Sequence, residues 1–156
     1  MPTVMPLPVL CRLWFQYVEP LTALGGAYLT YFRPATYLEM THAPSFAATG
    51  RAAAARTPPL TEVTTFALKQ LSAAFVFLGL AEGLVLNSTS ELRVYRAVVF
   101  AMLACDLVYM SSLRGLGGSE WYWVQPWVWD KAGWGNFGLT WLGILLRVLF
   151  FYDVGF

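Results

Sequence analysis

Apolar residues form four stretches of about membrane length along this chain, and polar segments separate them. The stretches cover residues 7–32, 62–86, 92–113 and 134–152. An apolar run of about 20 residues is long enough to cross the hydrocarbon core of a bilayer as a helix. We therefore predict an all-α fold, a four-span transmembrane helical bundle that forms a single integral membrane domain over residues 1–156.

The composition agrees with a membrane protein and narrows the expected partners. Hydrophobic residues make up 58% of the chain and charged residues 12%, whereas soluble domains average about 25% charged residues. A net charge of +1 supplies no basic patch for nucleic acid. The expected partners are therefore membrane lipids and lipophilic small molecules, with no nucleic acid.

Motifs for cofactors and metals are absent from the sequence. It contains no Walker loop, no HExxH, no dinucleotide fingerprint and no haem-type cysteine motif. Cys11, Cys105 and His42 are too few for a tetrahedral zinc site. We expect no cofactor and no metal, and we interpret both cysteines as small core residues.

Each apolar stretch carries a charged residue inside it, in chain order Glu19, Glu82, Asp106 and Arg147. A charge at the centre of a membrane helix costs about 2.5–3.5 kcal/mol even on insertion scales. Four such charges, three of them acidic, predict a polar site enclosed by the bundle.

Helix rise converts these positions into depth at about 1.5 Å per residue. Glu82 and Arg147 lie roughly 6–10 Å from the side of the termini, and Glu19 and Asp106 lie roughly 16–20 Å from it. The depths predict two polar layers, a Glu82–Arg147 structural ion pair and a Glu19/Asp106 carboxylate pair.

Buried carboxyl groups at such a site suit acid–base catalysis. In a dry site a carboxyl group tends to keep its proton, and two close carboxyl groups share one, which gives an acid and a base. We assign Glu82 and Asp106 as the catalytic pair, with Glu19 tuning them. The alternative is that the charges pair only to fix helix register.

Polar and aromatic side chains near these charges suit a lipophilic substrate. Tyr109 and Asn136 are expected to orient it, and Tyr17 and Trp134 to contact it, because aromatic faces stabilise cationic centres. Isomerisation, cyclisation or epoxide opening of a terpenoid-like or polyketide-like molecule would need no cofactor.

Gly79 and Gly83 lie four residues apart, a spacing that lets another membrane helix approach closely. Asn87-Ser88-Thr89 matches a glycosylation sequon, but Ser88 and Glu91 also fit a capping box for the third helix. We favour the capping box.

The two longer connections differ in character. Residues 33–61 predict a loop with a short helix near residues 52–55. The segment between the third and fourth spans is rich in tryptophan and tyrosine, which is typical of the membrane–water interface. Arginines in short flanks, such as Arg93 and Arg96, favour cytosolic termini.

Short motifs in a fixed order resemble a known family. They are Tyr17-Val-Glu19-Pro20, Ala81-Glu82-Gly83, Glu91-Leu-Arg93-Val-Tyr-Arg96, Ala104-Cys-Asp106 and Trp134-Gly-Asn136. Over nearly its whole length the chain resembles a fungal family of small four-span membrane proteins with a domain of unknown function. Members are found beside secondary-metabolite genes, which implies the endoplasmic reticulum and membrane-bound oxygenases.

The chain is more distantly similar to the emopamil-binding and sigma-2-type sterol isomerase superfamily, in which acidic residues in a small bundle handle cationic lipophilic ligands. Glu82 and Asp106 would be the counterparts. The His-and-Glu grouping of the sterol isomerases has no equivalent, because His42 lies in a predicted loop.

These features predict a cofactor-free isomerase or cyclase of lipophilic natural products, acting in the membrane with a membrane-bound cytochrome P450. The alternative is a non-catalytic accessory subunit of a multi-protein membrane complex. It would dock to a cytochrome P450 or a second small membrane protein through the Gly79/Gly83 face and the aromatic segment.

Overall fold

The computed structural model describes residues 9–41, 60–114 and 121–152, and every regular element in these ranges is helical. The all-α class is therefore confirmed there. The α-helices are α1 (Val9–Leu13), α2 (Glu19–Phe32), α3 (Pro34–Thr41), α4 (Glu62–Ser88), α5 (Leu92–Ser112), α6 (Lys131–Gly133) and α7 (Leu139–Phe151). Turns of π-helix cover Trp14–Val18 and Trp134–Gly138, and 3-10 turns cover Tyr122–Val124 and Pro126–Val128.

Three helices are long and apolar enough to cross a membrane. They are α4, α5 and the continuous helix Lys131–Phe151, which joins α6, a π turn and α7. Their outward faces are apolar, as shown by Phe77 at 70% and Val108 at 69% exposure. Such apolar faces suit contact with lipid tails rather than with water. The three helices therefore indicate an integral membrane protein.

The first apolar stretch is helical from residue 9 to residue 32, with a π turn in the middle. Pro20 has no N–H to give to the carbonyl of Gln16 four residues earlier. Asn87 Nδ2 of α4 donates to that carbonyl at 3.3 Å, and Gln16 Nε2 donates to Leu86 O at 3.0 Å. The proline is therefore accommodated by one hydrogen bond accepted from α4 and one donated to it.

Helix α2 packs along α4, and glycine makes the approach close. A Cβ on Gly79 would lie 2.9 Å from the carbonyl oxygen of Pro20, and one on Gly83 would lie 3.3 Å from Pro20 Cβ. This face is covered within the chain, so a partner protein would need another surface.

Two predictions about connections are wrong. Residues 34–41 form α3 where a loop was expected, because Pro34 suits the first position of a helix and Tyr37 packs edge-on against Phe75 at 6.2 Å. Ser88 does not cap the third helix, since its hydroxyl donates to Leu84 O inside α4. Residues 42–59 of the predicted loop, with His42 and residues 52–55, lie outside the described residues.

The apolar core consists of two clusters, one toward each end of the bundle. One cluster contains Phe15, Leu86, Tyr95, Val99 and Phe150, and the other contains Met110, Leu113, Tyr122, Phe137 and Ile144. Cys11 belongs to the first cluster, but Cys105 is exposed, so its interpretation as a core residue was wrong. Along α7, Arg147 lies between Ile144 of one cluster and Phe150 of the other.

The aromatic segment after α5 folds back onto α7. The indole of Trp123 stacks on that of Trp141, and Trp129 Nε1 donates to Tyr122 O at 2.8 Å. Burial raises the pKa of the Tyr122 hydroxyl above its ordinary value of 10.0, and the nearby Asp130 adds to the effect. Trp127 points outward with 77% exposure.

Candidate functional site

The four charged residues inside the apolar stretches meet in one cluster around Arg147. Its Nη2 pairs with Glu19 Oε1 and lies 3.8 Å from Glu82 Oε1. Its Nη1 donates to Asp106 Oδ2 at 2.7 Å. One guanidinium on α7 thus holds carboxyl groups from α2, α4 and α5.

The expected division into two layers is therefore wrong. Arg147 pairs most closely with Glu19 and Asp106, which were assigned to the other layer, and Glu82 is the most distant of its three partners. The predicted depths are those of the backbone. A long arginine side chain can carry its guanidinium to a different depth and so reach carboxyl groups of the other predicted layer.

The backbone of α7 is shaped to receive the guanidinium. A Cβ on Gly143, one turn before Arg147, would lie 2.9 Å from Nη1. On another side the guanidinium carbon lies 5.7 Å from the ring centre of Phe15. A glycine and an aromatic face therefore leave the space that the charge occupies.

Burial separates the three acidic residues into two kinds. Glu82 is 1% exposed and Arg147 is 0% exposed. The side chains of Glu19 and Asp106 keep 18% and 20% of their surface exposed. The Glu19 and Asp106 side chains therefore reach the surface of the bundle in part, whereas Glu82 and the Oε2 atom of Glu19 are buried.

Several buried polar atoms of the cluster have no hydrogen-bond partner among the described residues. They include the acceptors Glu19 Oε2 and Glu82 Oε1, and the donors Trp14 Nε1 and Arg147 Nε. Buried polar groups in proteins are nearly always paired, and each unpaired one costs about 1–3 kcal/mol. Donors and acceptors without a partner in the described ranges thus lie together around Arg147.

Tyr109 and Asn136 form a second polar pair one helical turn away from the cluster. Tyr109 OH donates to Asn136 Oδ1 at 3.1 Å, and Asn136 Nδ2 is buried without a partner in the described ranges. Asn136 lies in a π turn, and such turns often occur at functional sites.

The two aromatic residues assigned to the substrate lie elsewhere. Tyr17 and Trp134 are 53% and 54% exposed and face outward from the bundle. The structure does not bring them to the cluster.

Sequence reasoning missed Trp14 and Gly143. Gly143 could have been found from its position four residues before Arg147, where the absence of a side chain leaves room on the same helix face. Trp14 carries no such signal, because its role depends on how the first helix is rotated toward α7.

Within the described ranges, no group of three or more His, Cys, Asp or Glu side chains is arranged to hold a metal ion. The carboxyl groups of the cluster instead surround the guanidinium of Arg147.

Comparison with known proteins identifies the family of the chain. The family defined by a domain of unknown function, DUF7704, matches residues 4–155, and the chain belongs to it. The predicted membership in a family with a domain of unknown function is thereby confirmed. No curated protein and no solved structure matches the chain significantly.

Proposed function

We propose that this protein is a cofactor-free isomerase or cyclase that acts on a lipophilic natural product inside the membrane. The observation that carries the proposal is the convergence of Glu19, Glu82 and Asp106 on the buried Arg147. Such a cluster costs free energy, because one guanidinium cannot neutralise three carboxyl groups in a low-dielectric layer, and a functional role would explain why it is kept. A chain selected for stability would be served better by apolar residues there.

In this proposal the two acidic residues whose side chains are partly exposed, Glu19 and Asp106, perform the chemistry. Asp106 gives a proton to the substrate, Glu19 removes one from it, and the product is an isomer with the same atoms. Glu82 holds Arg147 in place from behind and does not touch the substrate, because it is 1% exposed. This reassigns the catalytic pair from Glu82 and Asp106 to Glu19 and Asp106.

The setting of the reaction is part of the same proposal. The first helix, residues 9–32, is the fourth membrane span beside the three long helices, so both termini lie on one side of the membrane. The arginines in the short flanks, such as Arg93 and Arg96, favour the cytosolic side of the endoplasmic reticulum. The substrate is a terpenoid- or polyketide-type molecule of fungal secondary metabolism. It enters sideways from the bilayer, and a membrane-bound cytochrome P450 acts beside this protein. The resemblance of the sequence motifs supports this setting.

The test is product formation in a host that carries the pathway, at matched membrane abundance of each variant. Asp106→Asn and Glu19→Gln are expected to lose roughly 100-fold or more of the product, as removal of an acid or base usually does. Glu62→Gln, at an exposed position in the first turn of α4, is the matched control and keeps full activity.

Glu82→Gln separates positioning from catalysis. We expect a smaller loss than for Asp106→Asn, because Glu82 is 1% exposed and does not touch the substrate in this proposal. Full activity of Asp106→Asn and Glu19→Gln, with retained co-purification of pathway proteins, would sink the enzyme proposal and support the accessory subunit.

A further inference from the structure

Glu19 and Glu82 are brought together by the close contact between α2 and α4. The residues that follow them in the chain, Pro20 and Gly83, touch each other, since a Cβ on Gly83 would lie 3.3 Å from Pro20 Cβ. The two carboxyl groups lie within hydrogen-bonding reach of each other. Both also approach the same nitrogen of Arg147, Nη2. The packing of two helix backbones thus places two acidic groups side by side.

Two ionised carboxylates at this place would lack a hydrogen-bond donor. Glu19 Oε2 and Glu82 Oε1 are buried acceptors without a partner among the described residues. An ionised carboxylate can only accept, so it cannot satisfy a second carboxylate, whereas a protonated carboxyl group has one O–H to donate. A proton held between the two groups would supply the missing donor.

The charge balance of the cluster favours the same proton. If every group were ionised, three carboxylates would surround one guanidinium, and two negative charges would remain uncompensated in a low-dielectric layer. Glu82 would be compensated least, because it is 1% exposed and its closest contact with Arg147 is 3.8 Å. Carboxyl groups crowded at one buried site keep a proton between them for this reason.

The other titratable groups around Glu82 do not compete for this proton. In the described part of the chain, the charged or titratable side chains that face Glu82 are Glu19 on α2, Asp106 and Tyr95 on α5, and Arg147 on α7. Asp106 Oδ2 accepts from the other guanidinium nitrogen, Nη1, at 2.7 Å. The Tyr95 hydroxyl makes no hydrogen bond to Glu82. The partner of Glu82 is therefore Glu19.

We propose that Glu19 and Glu82 share one proton, which Glu82 holds as the more deeply buried of the two. The shared proton is a hydrogen bond that joins α2 to α4, and it needs no cavity, because it lies between two groups that are already neighbours. A neutral Glu82 also needs no ion pair, in agreement with its distance from Arg147. The inference goes beyond the proposed function, since it holds for a catalytic cluster and for a structural one alike.

Infrared spectroscopy of the full chain in detergent micelles at neutral pH observes this proton. The C=O stretch of a protonated carboxyl group absorbs at a higher frequency than the stretches of an ionised carboxylate. An ordinary solvent-exposed glutamate is ionised at that pH. Carbon-13 in the side-chain carboxyl of glutamate, introduced by cell-free synthesis, lowers the frequency of glutamate bands and leaves the band of Asp106 in place. A protonated glutamate is thereby distinguished from a protonated aspartate.

We expect the wild-type protein to show one protonated-carboxyl band that shifts with the glutamate label. Glu82→Gln should remove this band. Glu19→Gln should move it, because the group that accepts the proton changes from a carboxylate to an amide. Glu62→Gln, at an exposed position in the first turn of α4, is the matched control and should leave the band in place, as should Tyr95→Phe.

A wild-type spectrum without a label-sensitive band would overturn the inference, and this result needs no variant that might fail to fold. A band that stays unmoved in Glu19→Gln would overturn it too, because Glu82 would then hold its proton alone. The proposed function fails separately, through full product formation by Asp106→Asn. Loss of product in that variant together with a wild-type protein that lacks the band would leave the enzyme standing without the shared proton.

Discussion

The carbonyl oxygen of Pro20 lies 2.9 Å from the point where a Cβ on Gly79 would be. This contact fixes the distance between α2 and α4, and with it the position of Glu19, the residue before the proline. Helix packing and the charge cluster are therefore coupled through one backbone contact.

Gly79→Ala should destabilise the protein by about 1–3 kcal/mol, because the added methyl group meets backbone that cannot rotate away. Thermal unfolding in detergent measures the loss. Gly25→Ala, on the open face of α2, is the matched control and should leave the unfolding temperature unchanged or higher. Equal behaviour of the two variants would contradict the close approach.

Arg147→Met should cost about 3–5 kcal/mol, since it leaves buried carboxyl groups without their cation. Arg93→Met, at an exposed position on α5, should change the free energy of unfolding by less than about 0.5 kcal/mol. Reversible unfolding in mixed micelles provides the measurement.

Double-mutant cycles should rank the partners of Arg147. Asp106→Asn combined with Arg147→Met should be less destabilising than the sum of the single changes, with a coupling of roughly 0.5–3 kcal/mol. The coupling with Glu82→Gln should be smaller, because its closest contact is 3.8 Å against 2.7 Å for Asp106. The reverse ranking would contradict the described geometry.

Asn87→Asp should destabilise the contact between the first helix and α4 by about 1–2 kcal/mol. The change keeps the shape but removes the N–H groups that donate to Gln16 O and Gly83 O. Glu62→Gln, which also exchanges a carboxylate and an amide but at an exposed position in the first turn of α4, is the control in the same unfolding assay. An Asn87→Asp protein as stable as the wild type would show that the proline needs no such help.

Tyr122 should make the protein less stable at alkaline pH. Burial raises its pKa in the folded state above the ordinary value of 10.0, so its contribution is complete below about pH 10 and is lost as the pH rises through the folded pKa. Tyr122→Phe should reduce the decline of unfolding temperature at alkaline pH relative to wild type. Parallel declines in the two proteins would exclude this role.

Helix positions were accessible from the sequence because they depend on local patterns. The predicted starts at Glu62 and Leu92 agree with the starts of α4 and α5. Polar residues flank each apolar run and mark where the chain enters or leaves the bilayer. Helix α3 was missed because a short helix has no apolar period of its own and is fixed by contacts such as that of Tyr37 with Phe75.

The sequence by itself determined that charges lie inside apolar helices, because that follows from position and polarity along the chain. The tertiary structure decided which charges meet, since the partners of Arg147 depend on the rotation of each helix and on the reach of its side chains. It also decided that Trp14 faces Gly143 and that Pro20 covers Gly79. Such contacts join residues far apart in the chain, and a repeating pattern along one helix contains no information about the orientation of another.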